Sequence, residues 1–172
     1  MLFRSKQLAG CLIGLVDEAA LADVLNTYAE TYRDALCSAL FARLGLKRRD
    51  PALDLDLVNT VFQALGAGDD TLRWEPFFFD WFGGGASEAR AMAGPRRALY
   101  EKPEFTALRK AFEAFEPDRP ERLSLDYFIA PEPQELLIDE IEQIWARIDE
   151  DDDWTGLETK LANLERMRSA LA

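Results

Sequence analysis

An all-α fold is predicted for this chain, and three observations predict it. Apolar residues recur at three- and four-residue steps over long segments, as on one face of a helix. No segment keeps the apolar–polar alternation of a half-buried strand, and no internal repeat recurs at a fixed period. Glycines and prolines fall at the ends of the periodic segments, where helices stop and start. The expectation is one irregular multi-helix domain over residues 1–172, about six to eight helices, with a proline-rich connector packed onto it. A chain of 172 residues suits one domain and can bury roughly 68–70% of its unfolded surface.

From Leu2 to Val16 the spacing predicts a helix. Arg4, Ser5, Lys6 and Gln7 form its polar face, and Leu8, Leu12, Ile13, Leu15 and Val16 its apolar one, with Cys11 near the core side. Met1 carries no N-cap signal, so a helix continuing from an upstream segment of a longer protein is expected. The strongest helix runs from about Asp17 to Leu44. Leu21, Val24, Leu25, Tyr28, Tyr32, Ala35, Leu36, Ala39 and Leu40 share its apolar face, and Gly45 sits where a left-handed stop is needed.

Lys47, Arg48, Arg49, Asp50 and Pro51 read as a solvated loop. A third helix is predicted over Leu53 to Leu65, with Leu57, Val58, Val61, Phe62 and Leu65 inward, ending at Gly66-Ala67-Gly68-Asp69-Asp70. Trp74 to Phe82 predicts a short helix with Pro76 in its first turn and Gly83 to Gly85 as its stop. The aromatic density of this block requires burial.

A looser stretch punctuated by Gly94-Pro95 follows. A helix from Glu104 to Phe115 presents Phe105, Leu108, Phe112 and Phe115. Pro117, Pro120, Pro131 and Pro133 bracket an irregular segment, Arg119 to Ala130. Pro133 is expected to open a helix carrying Leu136, Leu137, Ile138, Ile141, Ile144, Trp145 and Ile148. Thr155 and Glu158 predict a capping box for a last helix to about Leu171.

Composition excludes several functions. A net charge of −12 and a pI near 4.5 disfavour nucleic acid, which needs a basic face to displace counterions, and anionic membrane. No apolar run approaches the roughly 20 residues of a membrane-spanning helix. There is no histidine, which removes every catalytic triad with a histidine base. Two cysteines, Cys11 and Cys37, are too few for a zinc site or a disulfide framework, and point to a reducing cytoplasm. Leu8-Ala9-Gly10-Cys11 resembles a lipoprotein cleavage box, but the charged Arg4 and Lys6 interrupt the apolar core such a signal requires.

Five constellations invite a chemical reading. Asp149, Asp151 and Asp153 match the first three ligand positions of a calcium loop, yet Trp154 replaces its glycine and Lys160 its final glutamate. A solvated acidic turn ahead of a helix fits better. Asp80 among aromatics suggests a general base of raised pKa; an acid paired to an arginine, or on the exposed face of a short helix, is the simpler expectation. Gly83-Gly84-Gly85 suggests a phosphate cradle, but no strand precedes it and no Lys-Ser or Lys-Thr follows. Arg96-Arg97, with Tyr100 and Lys102, suggests a phosphate site; neutralisation of neighbouring acids is the plainer role. Cys37, one turn past Arg33, is read as a buried inert thiol. No residue is therefore assigned a catalytic, cofactor-binding or metal-binding role. The protein-kinase motifs are absent from the sequence as well: no glycine-rich loop, no Val-Ala-Ile-Lys, no His-Arg-Asp, no Asp-Phe-Gly.

Four segments in order resemble the C-terminal part of the selenoprotein O family of protein adenylyltransferases, called YdiU in bacteria. Tyr28 and Tyr32 through Leu44-Gly45-Leu46 resemble the family's long helix and its ending. Asp56-Leu57-Val58 resembles the next helix, and Phe77 to Gly84 resembles an aromatic-Asp-Trp-Gly-Gly variant of some bacterial members. Leu137-Ile138-Asp139-Glu140-Ile141-Glu142 with Ile144-Trp145, followed by Asp152-Asp153-Trp154, resembles the C-terminal tail. The resemblance implies an enzyme with a kinase-like core that uses ATP and Mg2+ to place AMP on protein hydroxyl groups, in a bacterial cytoplasm. None of that core's nucleotide or metal residues has a counterpart here. The expectation is thus a scaffolding or regulatory helical region with the catalytic core absent, partnered by that core in cis or in trans and by protein substrates, and inactive alone. Kinase-like motifs encoded upstream of Met1 would favour it. A freestanding helical interaction module is the alternative, and an acid-based enzyme centred on Asp80 a third.

Overall fold

The computed structural model describes the backbone of residues 2–68 and 72–172, with side chains from residue 7 onward in the first stretch. The fold is all-α. Among the described residues there are nine α-helices: α1 (Leu2–Leu12), α2 (Glu18–Leu44), α3 (Pro51–Ala67), α4 (Trp74–Asp80), α5 (Glu88–Ala93), α6 (Arg97–Tyr100), α7 (Thr106–Phe112), α8 (Ile138–Asp151) and α9 (Thr155–Leu171). Short 3-10 turns at Gly84–Ser87, Pro103–Phe105, Pro120–Ser124 and Asp126–Ile129 join them. Two isolated bridges, Ile13 with Val16 and Leu46 with Pro117, are the β pairing among the described residues.

Local chemistry sets most boundaries. The Asp17 carboxylate accepts from the Ala20 N–H at 3.0 Å and starts α2. Gly45, at φ 61°, stops it in the left-handed conformation that glycine adopts without a Cβ clash. Asp50 caps α3 by accepting from the N–H groups of Ala52 and Leu53, with Pro51 in the first turn. Pro76 lies in the first turn of α4, and Gly83 (φ 93°) and Gly84 (φ 59°) turn the chain away after it. The turn expected at Asp69-Asp70, the Met1 end of α1 and the Arg4, Ser5 and Lys6 side chains lie outside the described residues.

The core forms where α3 and α7 pack together with the C-terminal half of α2. Cys37, Leu40, Phe41 and Leu44 meet Leu57, Val58 and Val61, and Phe105, Leu108 and Phe112 close the other side. Phe77, Phe78 and Trp81 enter this core from α4 and its cap, while Phe79 and Phe82 face the other way into a second cluster with Tyr127, Phe128 and Ala170. The aromatic block therefore joins two clusters. Burial of its rings supplies on the order of 1.5–3 kcal/mol apiece.

Backbone hydrogen bonds tie the three chain reversals together. The Gly83 N–H donates to the Leu44 carbonyl at 2.7 Å, Asp118 N–H to Gly45 O at 2.8 Å, and Lys47 N–H to Glu116 O at 3.0 Å. The stretch Lys47 to Asp50 is the exposed loop that its charge suggests, and ion pairs and hydrogen bonds pin it to its neighbours. Arg48 spans α2 and α3, pairing with Asp34 (2.8 Å) and the buried Asp54 (2.9 Å), and Arg49 reaches the Ala114 carbonyl at 2.6 Å.

Other expectations are corrected. α1 ends at Leu12 rather than Val16, because Gly14 (φ 92°) folds Ile13 to Val16 into a tight turn, and Cys11 is exposed. Only the C-terminal half of α2 is buried; Val24, Tyr32, Ala35 and Ala39 on its expected apolar face are exposed. Phe62 is at the rim of the core. The helix expected from Glu104 to Phe115 is a 3-10 turn followed by a shorter α7, though all four of its apolar residues are buried. α8 starts at Ile138 and not at Pro133; the Gln134 N–H donates to the Tyr127 hydroxyl and the Glu135 carbonyl accepts from Lys160, outside any helix. The capping box is not formed: Asp153 accepts from both the N–H and the hydroxyl of Thr155, and this keeps its pKa low.

A Cβ on Gly45 would lie 2.6 Å from Phe82 Cζ, whereas one on Gly85 meets nothing closer than 3.8 Å. Gly45→Ala is expected to cost about 2–4 kcal/mol from left-handed strain and overpacking. Gly85→Ala should change stability by less than about 1 kcal/mol. Urea unfolding of both variants checks this, and equal losses would refute the role given to Gly45.

Candidate functional site

Of the residues the sequence singles out, the structure brings Asp80, Arg96 and Tyr100 together at the aromatic block. Asp80 ends α4 with 3% of its surface exposed. Arg96 grips it with two bonds, Nε to Oδ2 at 2.6 Å and Nη2 to Oδ1 at 3.0 Å, and the Tyr100 hydroxyl donates to Oδ2 at 2.6 Å. The third nitrogen of Arg96 reaches Glu132 at 2.7 Å, which ties the proline-rich connector to the same point. Burial on its own would lower the Arg96 pKa, but the bonds to Asp80 and Glu132 outweigh it and hold the guanidinium charged. Burial, with the Asp80 charge beside it, pushes the Tyr100 phenol above its ordinary range.

This arrangement holds structure. Both Asp80 oxygens accept from fixed donors, and Tyr100, fully buried, keeps its proton. The expectation of an acid paired to an arginine is met. The phosphate reading of the basic patch finds no free cation pair: Arg96 is committed to carboxylates, and Arg97 pairs with Glu101 at 2.7 Å one helical turn on. Nor do the glycines form a cradle. The Gly83 and Gly84 N–H groups donate to Leu44 and Trp81 carbonyls.

Three residues escaped the sequence reading. Arg90 on α5 donates to the carbonyls of Phe79 (2.8 Å), Asp80 (3.2 Å) and Phe82 (3.2 Å), closing the C-terminus of α4, and stacks 4.5 Å from the Phe128 ring. Burial lowers its pKa. Asp54 was legible: it shares the face of Leu57, Val58 and Val61, so burial with a partner is implied by spacing. Lys160 likewise shares the face of Leu164, Met167 and Leu171. It is buried between α8 and α9, donating to Glu140 at 2.6 Å, to Gln134 at 3.3 Å and to the Glu135 carbonyl. No local pattern in the sequence singles out Arg90.

Two depressions flank these networks. A groove of about 580 Å³ runs between α4, α9 and residues 134–137, floored by Phe78, Phe79, Leu164 and Met167. At its rim Arg43 pairs with Glu75 and lies 4.4 Å from the Phe78 ring. A second, more polar one of about 540 Å³ lies between α8 and α9 beside Lys160. The acidic run does not close on itself: Asp152 takes φ 54° to end α8 and accepts from the Trp154 indole at 2.8 Å. Among the described residues no three Cys, Asp or Glu side chains converge as a metal site, and no helix is long and apolar enough to cross a membrane.

The model of the family described as protein adenylyltransferase SelO matches residues 2–165, nearly the whole chain, and the chain belongs to that family. No curated protein and no solved structure matches it.

Two predictions follow from the buried groups. Arg96→Ala strands the Asp80 carboxylate and is expected to cost about 3 kcal/mol, while Asp80→Asn, which keeps the shape and the Tyr100 contact, costs less. Denaturant unfolding gives both numbers, and an Arg96→Ala variant as stable as the parent would contradict the pairing. Cys11 should react with a thiol reagent at once, and Cys37, buried with its pKa raised by burial, only on unfolding. Two fast thiols in the folded chain would show the core placement of Cys37 wrong.

Proposed function

We propose that this member of the SelO family is a non-catalytic helical region of a protein adenylyltransferase, one that braces a kinase-like core or presents protein substrates to it. One observation carries the reading. Among the described residues of the matched span, the buried charged side chains Asp54, Asp80 and Lys160 are each engaged with other protein groups. The sequence adds that the phosphate-binding and metal-binding motifs of a kinase-like core are not among these residues. ATP and Mg2+ would then be bound by the core and not here. Its acidic charge and thiols suit a protein partner in a bacterial cytoplasm. A freestanding interaction module is the second reading, favoured by the apolar surface that α8 leaves open, and it differs in having no adenylyltransferase as partner.

Titration with Mg·ATP is expected to leave the melting temperature unchanged, since only a ligand that binds the folded state raises it. Labelled ATP should give no AMP incorporation into added acceptor proteins. A saturable thermal shift, or AMP transfer by this chain, would overturn the reading.

A further inference from the structure

We propose that the outer strip of α8 docks into a protein groove whose floor is apolar and whose rim carries lysine and arginine. Resting on the function proposed above, the groove is assigned to the kinase-like core. Ile138, Ile141 and Trp145 recur at i, i+3 and i+7, one face of a helix, and are 70%, 41% and 64% exposed. Their neighbours on the same apolar arc, Ile144 and Ile148, are half-buried, with Ile144 Cγ1 3.6 Å from where a Cβ on Gly156 would stand. α9 thus covers one edge of the arc and leaves the other bare. The chain leading in adds exposed Leu136 and Leu137, so the strip runs without a break into the groove floored by Phe78 and Phe79.

Charge selects the occupant. α8 holds six acids and one arginine. Glu142 lies one turn from Ile138 and Asp149 one turn from Trp145, so both border the bare strip, and both are exposed. Among the described residues Glu140 is the α8 acid that has an ion pair, with Lys160 on the far side of the helix. A second copy would set this acidic rim against itself in a chain of net charge −12, which opposes pairing. A basic rim would complement it, and an exposed tryptophan in an apolar strip is the residue type that most often carries interface energy.

The probe is a purified kinase-like core of a SelO-family enzyme from the same genome, titrated into this chain by calorimetry. Binding is expected, weakening as salt rises from about 0.05 to 0.5 M. Ile141→Ser with Trp145→Ser should weaken it at least about tenfold, and Glu142→Lys with Asp149→Lys should weaken it and flatten the salt dependence. These side chains are exposed, so melting temperatures should match the parent; Val24→Ser, on the exposed arm of α2, is the control expected to bind normally. Unchanged binding by both α8 variants would overturn the strip while leaving the proposed function standing. Absence of binding by the parent, or α8-dependent dimers in light scattering, would also overturn it. The Mg·ATP titration judges the proposed function separately.

Discussion

An acid inside an aromatic core is the constraint on which the arrangement of this protein turns. Asp80 cannot be buried among Phe77, Phe79 and Trp81 unless its charge is matched, and the match comes from two directions. Arg96 arrives from the residue before α6, and Tyr100 from the end of that helix, so the short α6 is fixed by the same carboxylate. Through its third nitrogen Arg96 also fixes Glu132, and with it the path of the connector. Arg90 satisfies the carbonyls that the end of α4 leaves open. The rings can then pack on both sides, toward Phe112 and Tyr100 from Trp81 and toward Phe128 from Phe82. The aromatic block is the junction between two hydrophobic clusters.

The same logic explains which parts of the fold were legible. Where a helix has its own cap and its own stop, as α2 has Asp17 and Gly45, the boundary is written locally and the sequence states it; the cap of α3 at Asp50 with Pro51 is equally local, but the charge around it reads as loop, and the helix begins two residues before the expected Leu53. Where a boundary depends on a distant side chain, it is not. The non-helical Gln134–Glu135 stretch has helix-compatible residues after Pro133. Its Glu135 carbonyl is taken by Lys160, twenty-five residues on, in place of a helical N–H. Thr155 and Glu158 have the spacing of a capping box, but Asp153 is closer to the Thr155 N–H and hydroxyl and takes both. Asp80 could be read as paired but not with whom, since neither Arg96 nor Arg90 shares a helix with it.

Burial was the less legible quantity, because periodicity reports which face of a helix is apolar and not what lies opposite. Along α2 the apolar spacing continues for the whole helix, yet its burial is confined to the last turns, from Cys37 to Leu44, where α3 and the aromatic block lie alongside. The preceding turns carry exposed Val24 and Tyr32 beside the short α1, whose turn leaves Ile13, Leu15 and Val16 outward. In α8 the apolar arc is cleanly segregated from the acids, yet none of its residues is fully buried.

That contrast has a physical consequence. Among the described residues the buried charges Asp54, Asp80 and Lys160 each have protein partners. The apolar faces of α8 and of the α2 arm have no such closure within the described residues. Exposed isoleucine and tryptophan on an ordered helix forgo the transfer free energy of about 25 cal/mol per Å² that burial would return. The unburied apolar surface of this molecule therefore lies on helices whose backbone is already folded, and a preformed helical face has less backbone entropy to lose when a partner covers it than an unfolded segment would.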